Sequence, residues 1–324
     1  MTAIYRIILY NDVLYHISRF ADTQSGRDIH GKPDENPTMS SAVIEQHEAP
    51  PSALVFMAHA FLRSPRLPRR PEFPALIKRW TGVRIGGEHE ASFRQATGRD
   101  AQCVIYPHVL GFRLQMALLT HATFPLPLWN ALQIRNRLVC RRALDRSAAY
   151  EFETGIGSYR FVERGVEVDL QTRLLCGDRC DWESVVTYFY RGRFDPAAAV
   201  PQPASADLSA AVEVARFRMP KSGGWAFGGL TGDYNGIHLW APYARRLGFP
   251  SAFMHSQRAA AICLDRLGQP RGEPGALTLW IKGPVFYDAE VILVSARRQD
   301  DMEFGLSLAG DPRHALVGAW SKAA

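Results

Sequence analysis

Cysteine is scarce: five residues in 324, odd in number and scattered at 103, 140, 176, 180 and 263. That pattern offers no disulfide framework. Cys176 and Cys180 stand as C-x3-C with no second pair nearby, so the spacing of a zinc site is missing. The thiols read as small apolar core residues. No run approaches the ~20 apolar residues that a membrane helix needs. The first residues, MTAIYRIILYNDVLYHISRF, are apolar but broken by Arg6, Asn11, Asp12 and His16, a poor match to a signal peptide. A cytoplasmic protein with no membrane partner is expected.

Several nucleotide and nucleophile signatures are also lacking. Neither G-x-x-x-x-G-K-[ST] nor G-x-S-x-G occurs. The segment GGWAFGGLTGDYNG holds six glycines. No apolar strand precedes it and the spacing differs from G-x-G-x-x-G, which excludes a dinucleotide-binding turn. The net charge of +6 raises the question of nucleic acid. The densest basic run, Arg63 to Arg70, is interrupted by Pro65 and Pro68 and reads as a solvated face. No zinc finger, basic zipper or RNP-like signature accompanies it, so no nucleic-acid partner is expected. An anionic small molecule such as a coenzyme suits the charge.

What remains is an ordinary folded composition, 47% hydrophobic and 22% charged. Residues 1–52 are polar and turn-rich over 21–52 and read as a partly disordered tail. ALVFMAHAFLRS, from 53 to 64, predicts a helix. HVLGFRLQMALLTHA, from 108 to 122, is apolar nearly all round, which predicts a buried helix. Four alternating, β-prone runs follow, from 130 to 194. Residues 195–211 have linker composition. The second half, 212–324, repeats the plan. A helix opens at His255 with HSQRAAAICLDRLG, and strand-like runs follow at ALTLWIKGPVF, AEVILVSARRQ, MEFGLSLAG and HALVGAW. A His-led apolar helix followed by about four strands, twice over, is evidence of internal duplication. The expected class is α+β, one helix wrapped by antiparallel strands in each half. The divisions are 53–194 and 212–324.

The stretch LTGDYNGIH, Leu230 to His238, concentrates a carboxylate, an amide and an imidazole between glycines. Gly, Asp and Asn are what a polar turn needs, so a plain loop accounts for the composition. The wider segment FGGLTGDYNGIHLWAPYARRLGFPSAFMHS, Phe227 to Ser256, carries more. It resembles the MaoC-like dehydratases and (R)-specific enoyl-CoA hydratases, whose signature is [ST]-G-D-x-N-P-[LIV]-H, a short helix, a Gly-Phe/Pro segment and a histidine opening the central helix. Thr231, Gly232, Asp233, Asn235, Ile237 and His238 match, as do Ala244, Gly248, Phe249, Pro250 and His255 downstream. Tyr106 to Leu119 looks like the central helix of the first, usually non-catalytic half of two-domain members.

That resemblance implies a double hotdog fold and a hydro-lyase acting on an acyl thioester, carried by coenzyme A or an acyl carrier protein. It adds water to a trans-2-enoyl group, or removes it from an (R)-3-hydroxyacyl group. A non-catalytic acyl-CoA-binding protein and a thioesterase are the alternatives. By the same resemblance Asp233 and His238 hold the reacting water and Asn235 and Gly232 support their loop. Backbone N–H groups of Ser256 and Gln257 serve the oxyanion, and His255 is structural at the helix N-terminus. No cofactor and no metal is implied.

Three positions depart from the pattern. Gly236 stands in place of proline, which loosens the loop. Ser256 stands in place of glycine, which brings a Cβ towards the thioester, and Leu264 replaces a serine of some hydratases. His108 reads as a helix-start residue, and Trp240 and Tyr243 as packing against the sheet. Arg216, Arg245, Arg258 and Lys282 are candidates for coenzyme phosphates. Both a monomeric pseudo-dimer and a homodimer fit.

Overall fold

The apolar run in the first half forms a helix because nothing in it can face water. In the computed structural model, which describes residues 42–62, 67–195, 203–269, 271–299 and 301–322, this helix spans Tyr106–Leu119. His108, Leu114 and Leu118 on it are wholly buried. Ahead of it lie a strand β1 (Val43–His47), a helix α1 (Ala53–Leu62), a strand β2 (Leu76–Val83) and a helix α2 (Gly87–Thr97). The buried helix is therefore α3. Strands β3 (Ala131–Cys140), β4 (Tyr150–Val162), β5 (Gly165–Cys176) and β6 (Arg179–Arg191) follow, at the four runs expected.

The second half opens with β7 (Val212–Arg218). Three short helices come next: α4 (Gly224–Thr231), α5 (Gly236–Leu239) and α6 (Ala241–Arg246). The central helix α7 (Ser256–Arg266) precedes β8 (Gly275–Ile281), β9 (Glu290–Arg298), β10 (Asp301–Leu308) and β11 (His314–Lys322).

The eleven strands among the described residues form one sheet in the order β1-β2-β4-β5-β6-β3-β8-β11-β10-β9-β7. Read from each outer end, β2-β4-β5-β6-β3 and β7-β9-β10-β11-β8 have the same order relative to the chain. This is the expected double hotdog, with the duplicated units joined where β3 pairs antiparallel with β8, from Arg135↔Trp280 to Cys140↔Gly275.

One apolar cluster runs through both halves and joins Val109 and Leu114 of α3 to Ala259, Cys263 and Leu264 of α7. Burying a side chain such as Leu264 or Phe304 contributes about 1.5–3 kcal/mol. A second cluster surrounds the C-terminal end of α3 and includes Phe56 of α1.

Three strands escaped the sequence reading, each for a physical reason. Residues 1–41 of the expected tail lie outside the described residues. Val43–His47, however, is an ordered strand paired in parallel with β2. In β2 the inward positions are Leu76, Lys78 and Trp80. A lysine there breaks the apolar alternation, and Glu45 of β1 pairs with it. β7 is an edge strand whose Val212 and Val214 face solvent, the reverse of the expected polarity. Within 195–211, residues 196–202 lie outside the described residues.

Candidate active site

The signature segment is built as a chain of turns. α4 ends at Gly232, whose φ of 79° is left-handed and whose N–H donates to the Gly228 carbonyl at 2.7 Å. A Cβ at Gly232 would lie 2.9 Å from the Phe56 ring, so conformation and space both demand glycine. The Asp233 N–H then donates to Thr231 Oγ1 at 3.1 Å, and the Asn235 N–H to Asp233 Oδ1 at 3.1 Å. Asn235 Oδ1 accepts from the Ile237 N–H at 3.3 Å and caps α5. These bonds occupy Asp233 Oδ1 and leave Oδ2 pointing away from the loop.

Two imidazoles face that free oxygen. His238 Nε2 lies 3.7 Å from Asp233 Oδ2, and His255 Nε2 lies 3.8 Å from it. His238 Nδ1 meets the Phe253 carbonyl at 2.9 Å. A carbonyl only accepts, so Nδ1 carries a proton and Nε2 is the nitrogen left for the site. His255 is used differently. Its Nε2 donates to the Asp233 carbonyl at 3.1 Å, and burial pushes the imidazole down to about 3. Its side chain makes no cap bond to α7. His255 is the N-cap residue of α7, the position expected, and its side chain braces the Asp233 turn.

The three residues offer ligand atoms within 4.8 Å of one another. The His255 bond to a carbonyl requires a proton on Nε2, which removes that atom from any ligand set.

The first turn of α7 follows His255 directly. Ser256 and Gln257 are its first two residues, and N–H groups at that position have no acceptor within the helix. The Ser256 hydroxyl donates to Gln133 Oε1 at 3.3 Å, and Gln257 Nε2 to the same oxygen at 3.1 Å. Gln257 Nε2 also lies 3.4 Å from His108 Nε2. The Ser256 side chain is thus engaged with the first half. His108 sits within the first turn of α3, and burial pushes its pKa down to about 3. Leu264 is buried in the apolar core.

Asp233, Asn235, His238, Ser256 and Gln257 all line one cavity of about 510 Å³. Tyr243, Phe249 and Phe253 add an aromatic wall from the second half. Phe56, Met57, Phe112, Met116, Leu128 and Trp129 extend it into the first half, with Asn130, Gln133, Tyr188 and Arg191 as polar members. No single-sequence signal marks these first-half residues, because only the β3–β8 junction brings them to the second half.

Two expectations need correction. Gly236 does not loosen the loop: the Tyr243 ring packs where its side chain would be, with Cδ1 at 2.6 Å from a built Cβ. Trp240 does not pack on the sheet but stands 62% exposed. Among the coenzyme candidates, Lys282 lines the cavity with Arg191. Arg258 is buried and bonded to the Ala96 and Ser222 carbonyls. Arg216 is paired with Glu213 and Glu290 on the edge strand. Arg245 is exposed and does not line the cavity. No helix among the described residues is long and apolar enough to cross a membrane.

No protein-family model matches the chain. It is similar to 3-hydroxyacyl-thioester dehydratase X of Mycobacterium tuberculosis, 24% identical over 206 residues, which cover 63% of this chain and 74% of that protein. The crystal structure of HtdX from the same organism superposes with a TM-score of 0.63 at 21% identity, over 76% of this chain and all of that one. A MaoC-like dehydratase from Phytophthora capsici gives 0.62 at 15% identity, over 80% and 98%. The likeness to MaoC-like dehydratases read from the sequence holds in these comparisons, and the fold they share is the one described above.

Proposed function

We propose that the protein is a hydro-lyase that reversibly adds water to a trans-2-enoyl thioester, giving the (R)-3-hydroxyacyl thioester. One observation carries this reading. Two acceptors, Asp233 Oδ2 and His238 Nε2, lie 3.7 Å apart in the cavity. They are too far apart to bond each other and well placed to accept hydrogen bonds from the two hydrogens of one water. The dehydratase names of the similar proteins support the same chemistry.

The roles follow from the geometry. Asp233 removes a proton from the water, whose oxygen attacks the β-carbon of the enoyl group. Electron density moves to the thioester oxygen, which accepts hydrogen bonds from the Ser256 and Gln257 amides at the positive end of α7. The proton held on Asp233 Oδ2 then passes to the α-carbon, while His238 Nε2 accepts a hydrogen bond from the water's second hydrogen, which stays on the new hydroxyl. Asn235, Gly232 and His255 hold the loop. The acyl chain lies along the apolar wall of Phe56, Met57, Phe112 and Met116 in the first half, which we read as non-catalytic. Lys282 and Arg191 meet the anionic end of the substrate.

The test is hydration of a short trans-2-enoyl-CoA, read as loss of the enoyl absorbance, in the intact protein and in Asp233→Asn. Activity that falls by ~10²-fold or more in the variant supports the assignment. An intact protein that binds acyl-CoA but hydrates no chain length is a binding hotdog, and one that releases free thiol is a thioesterase.

A further inference from the structure

The helices that carry the signature loop have an outer face as well as an inner one. Trp225 on α4 and Trp240 at the start of α6 are 67% and 62% exposed. The segments that carry them adjoin, because Gly224 packs directly on the His238 carbonyl with no room for a Cβ. The Tyr234 ring lies 6.0 Å from Trp225. Two tryptophans this exposed on adjoining segments are unusual on a free surface and typical of the centre of an interface.

Charge narrows the partner. From Met219 to Leu264 the only acid is Asp233, which lies in the cavity, against Lys221, Arg245, Arg246 and Arg258. Arg258 is buried, while Lys221, Arg245 and Arg246 are exposed. Those three have no acidic partner among the described residues. Unneutralised cations around an aromatic patch fit an acidic surface. A second copy of this chain fits poorly, because an isologous contact would set the same positive patch against itself.

Position completes the argument. Ile237, Tyr243 and Leu247 of the same helical segment line the cavity from the inside. Whatever docks on Trp225, Trp240, Arg245 and Arg246 stands beside the cavity in which the thioester reacts. We propose that this face docks an acidic carrier protein that presents the acyl group as a thioester on its prosthetic arm. The inference rests on the acyl-thioester reading above and selects the carrier-bound form of the substrate.

The experiment compares crotonyl-CoA with the crotonyl thioester of a small acidic acyl carrier protein, using the full chain. The variants are Trp225→Ala with Trp240→Ala, and Arg245→Glu with Arg246→Glu. Carrier binding is titrated in parallel at low and high salt. The expected result is a loss of about tenfold or more in kcat/KM for the carrier substrate in both variants. kcat/KM for crotonyl-CoA stays within about twofold, and carrier binding weakens as salt rises. Arg245→Lys with Arg246→Lys should restore most of the loss.

Equal losses on both substrates, no loss on either, or no carrier binding by the intact protein would each overturn the proposal. Binding of anionic vesicles through the same residues, with the carrier ignored, would also overturn it and make the face a membrane contact. If the intact protein hydrates neither substrate yet binds the acylated carrier through these residues, the hydro-lyase reading fails and the docking face stands.

Discussion

The rings of His238 and His255 stack with centroids 4.0 Å apart and planes 28° from parallel, yet their nitrogens serve different ends. His238 ties Nδ1 to the Phe253 carbonyl and leaves Nε2 towards Asp233 Oδ2. His255 spends Nε2 on the Asp233 carbonyl and is sealed from water. One ring is available to a substrate, and the other supports it. His238→Gln should therefore lower kcat by ~10²-fold or more with little change in melting temperature, while His255→Gln should lower both. Steady-state kinetics beside thermal melts separate the two roles.

Buried neutral imidazoles make stability depend on pH. Burial holds the pKa of His108 and that of His255 down at about 3, below the usual 6.5. An unfolded chain protonates both near 6.5, whereas the folded one refuses the protons until about pH 3. Stability is then complete above about pH 6.5 and falls as the pH drops towards 3, by about 1.4 kcal/mol per pH unit for each ring. Denaturant midpoints measured between pH 7 and 4 should show this slope, and His108→Met should reduce it. A midpoint flat across that range would contradict the burial of these rings.

Asp233→Asn is a clean test because the loop does not depend on the charge. The Asn235 N–H bonds Oδ1, and an amide oxygen accepts that bond as well. Hydration should fall by ~10²-fold or more with the fold intact, as judged by circular dichroism and an unchanged affinity for a saturated acyl-CoA.

Gly236 is kept small by Tyr243. A Cβ there would lie 2.6 Å from Tyr243 Cδ1 and 3.0 Å from Cγ. Gly236→Ala should cost about 1–3 kcal/mol and raise KM more than it lowers kcat, because the displaced ring lines the cavity. Adding Tyr243→Ala should recover much of the stability, an interaction that a double-mutant cycle measures.

Ser256 contributes its backbone N–H, and its hydroxyl is turned to Gln133. Ser256→Gly should keep kcat within about threefold, far from the ~10²-fold expected on losing an oxyanion donor. A larger drop would show that the link to Gln133 positions the helix.

The local pattern of residues alone determined a good deal. An apolar helix without a polar face must be buried, and alternating β-prone runs must form strands, so the duplicated α+β plan was legible. The turn sequence at Thr231 to Asn235 was equally legible, because the Thr231, Asp233 and Asn235 side chains bond the backbone two to four residues away.

Tertiary structure decided what depends on distant partners. Gln133 meets Ser256 and Gln257 only because β3 pairs with β8. Lys78 can lie inward only because Glu45 comes alongside on β1. The packing of Tyr243 on Gly236 reversed the expectation of a loose loop, and exposure of Trp240 reversed the expectation of a packed one. Local bonding is written in short-range spacing, whereas the cavity, the choice of working imidazole and the outward tryptophans follow from contacts between residues far apart in the chain.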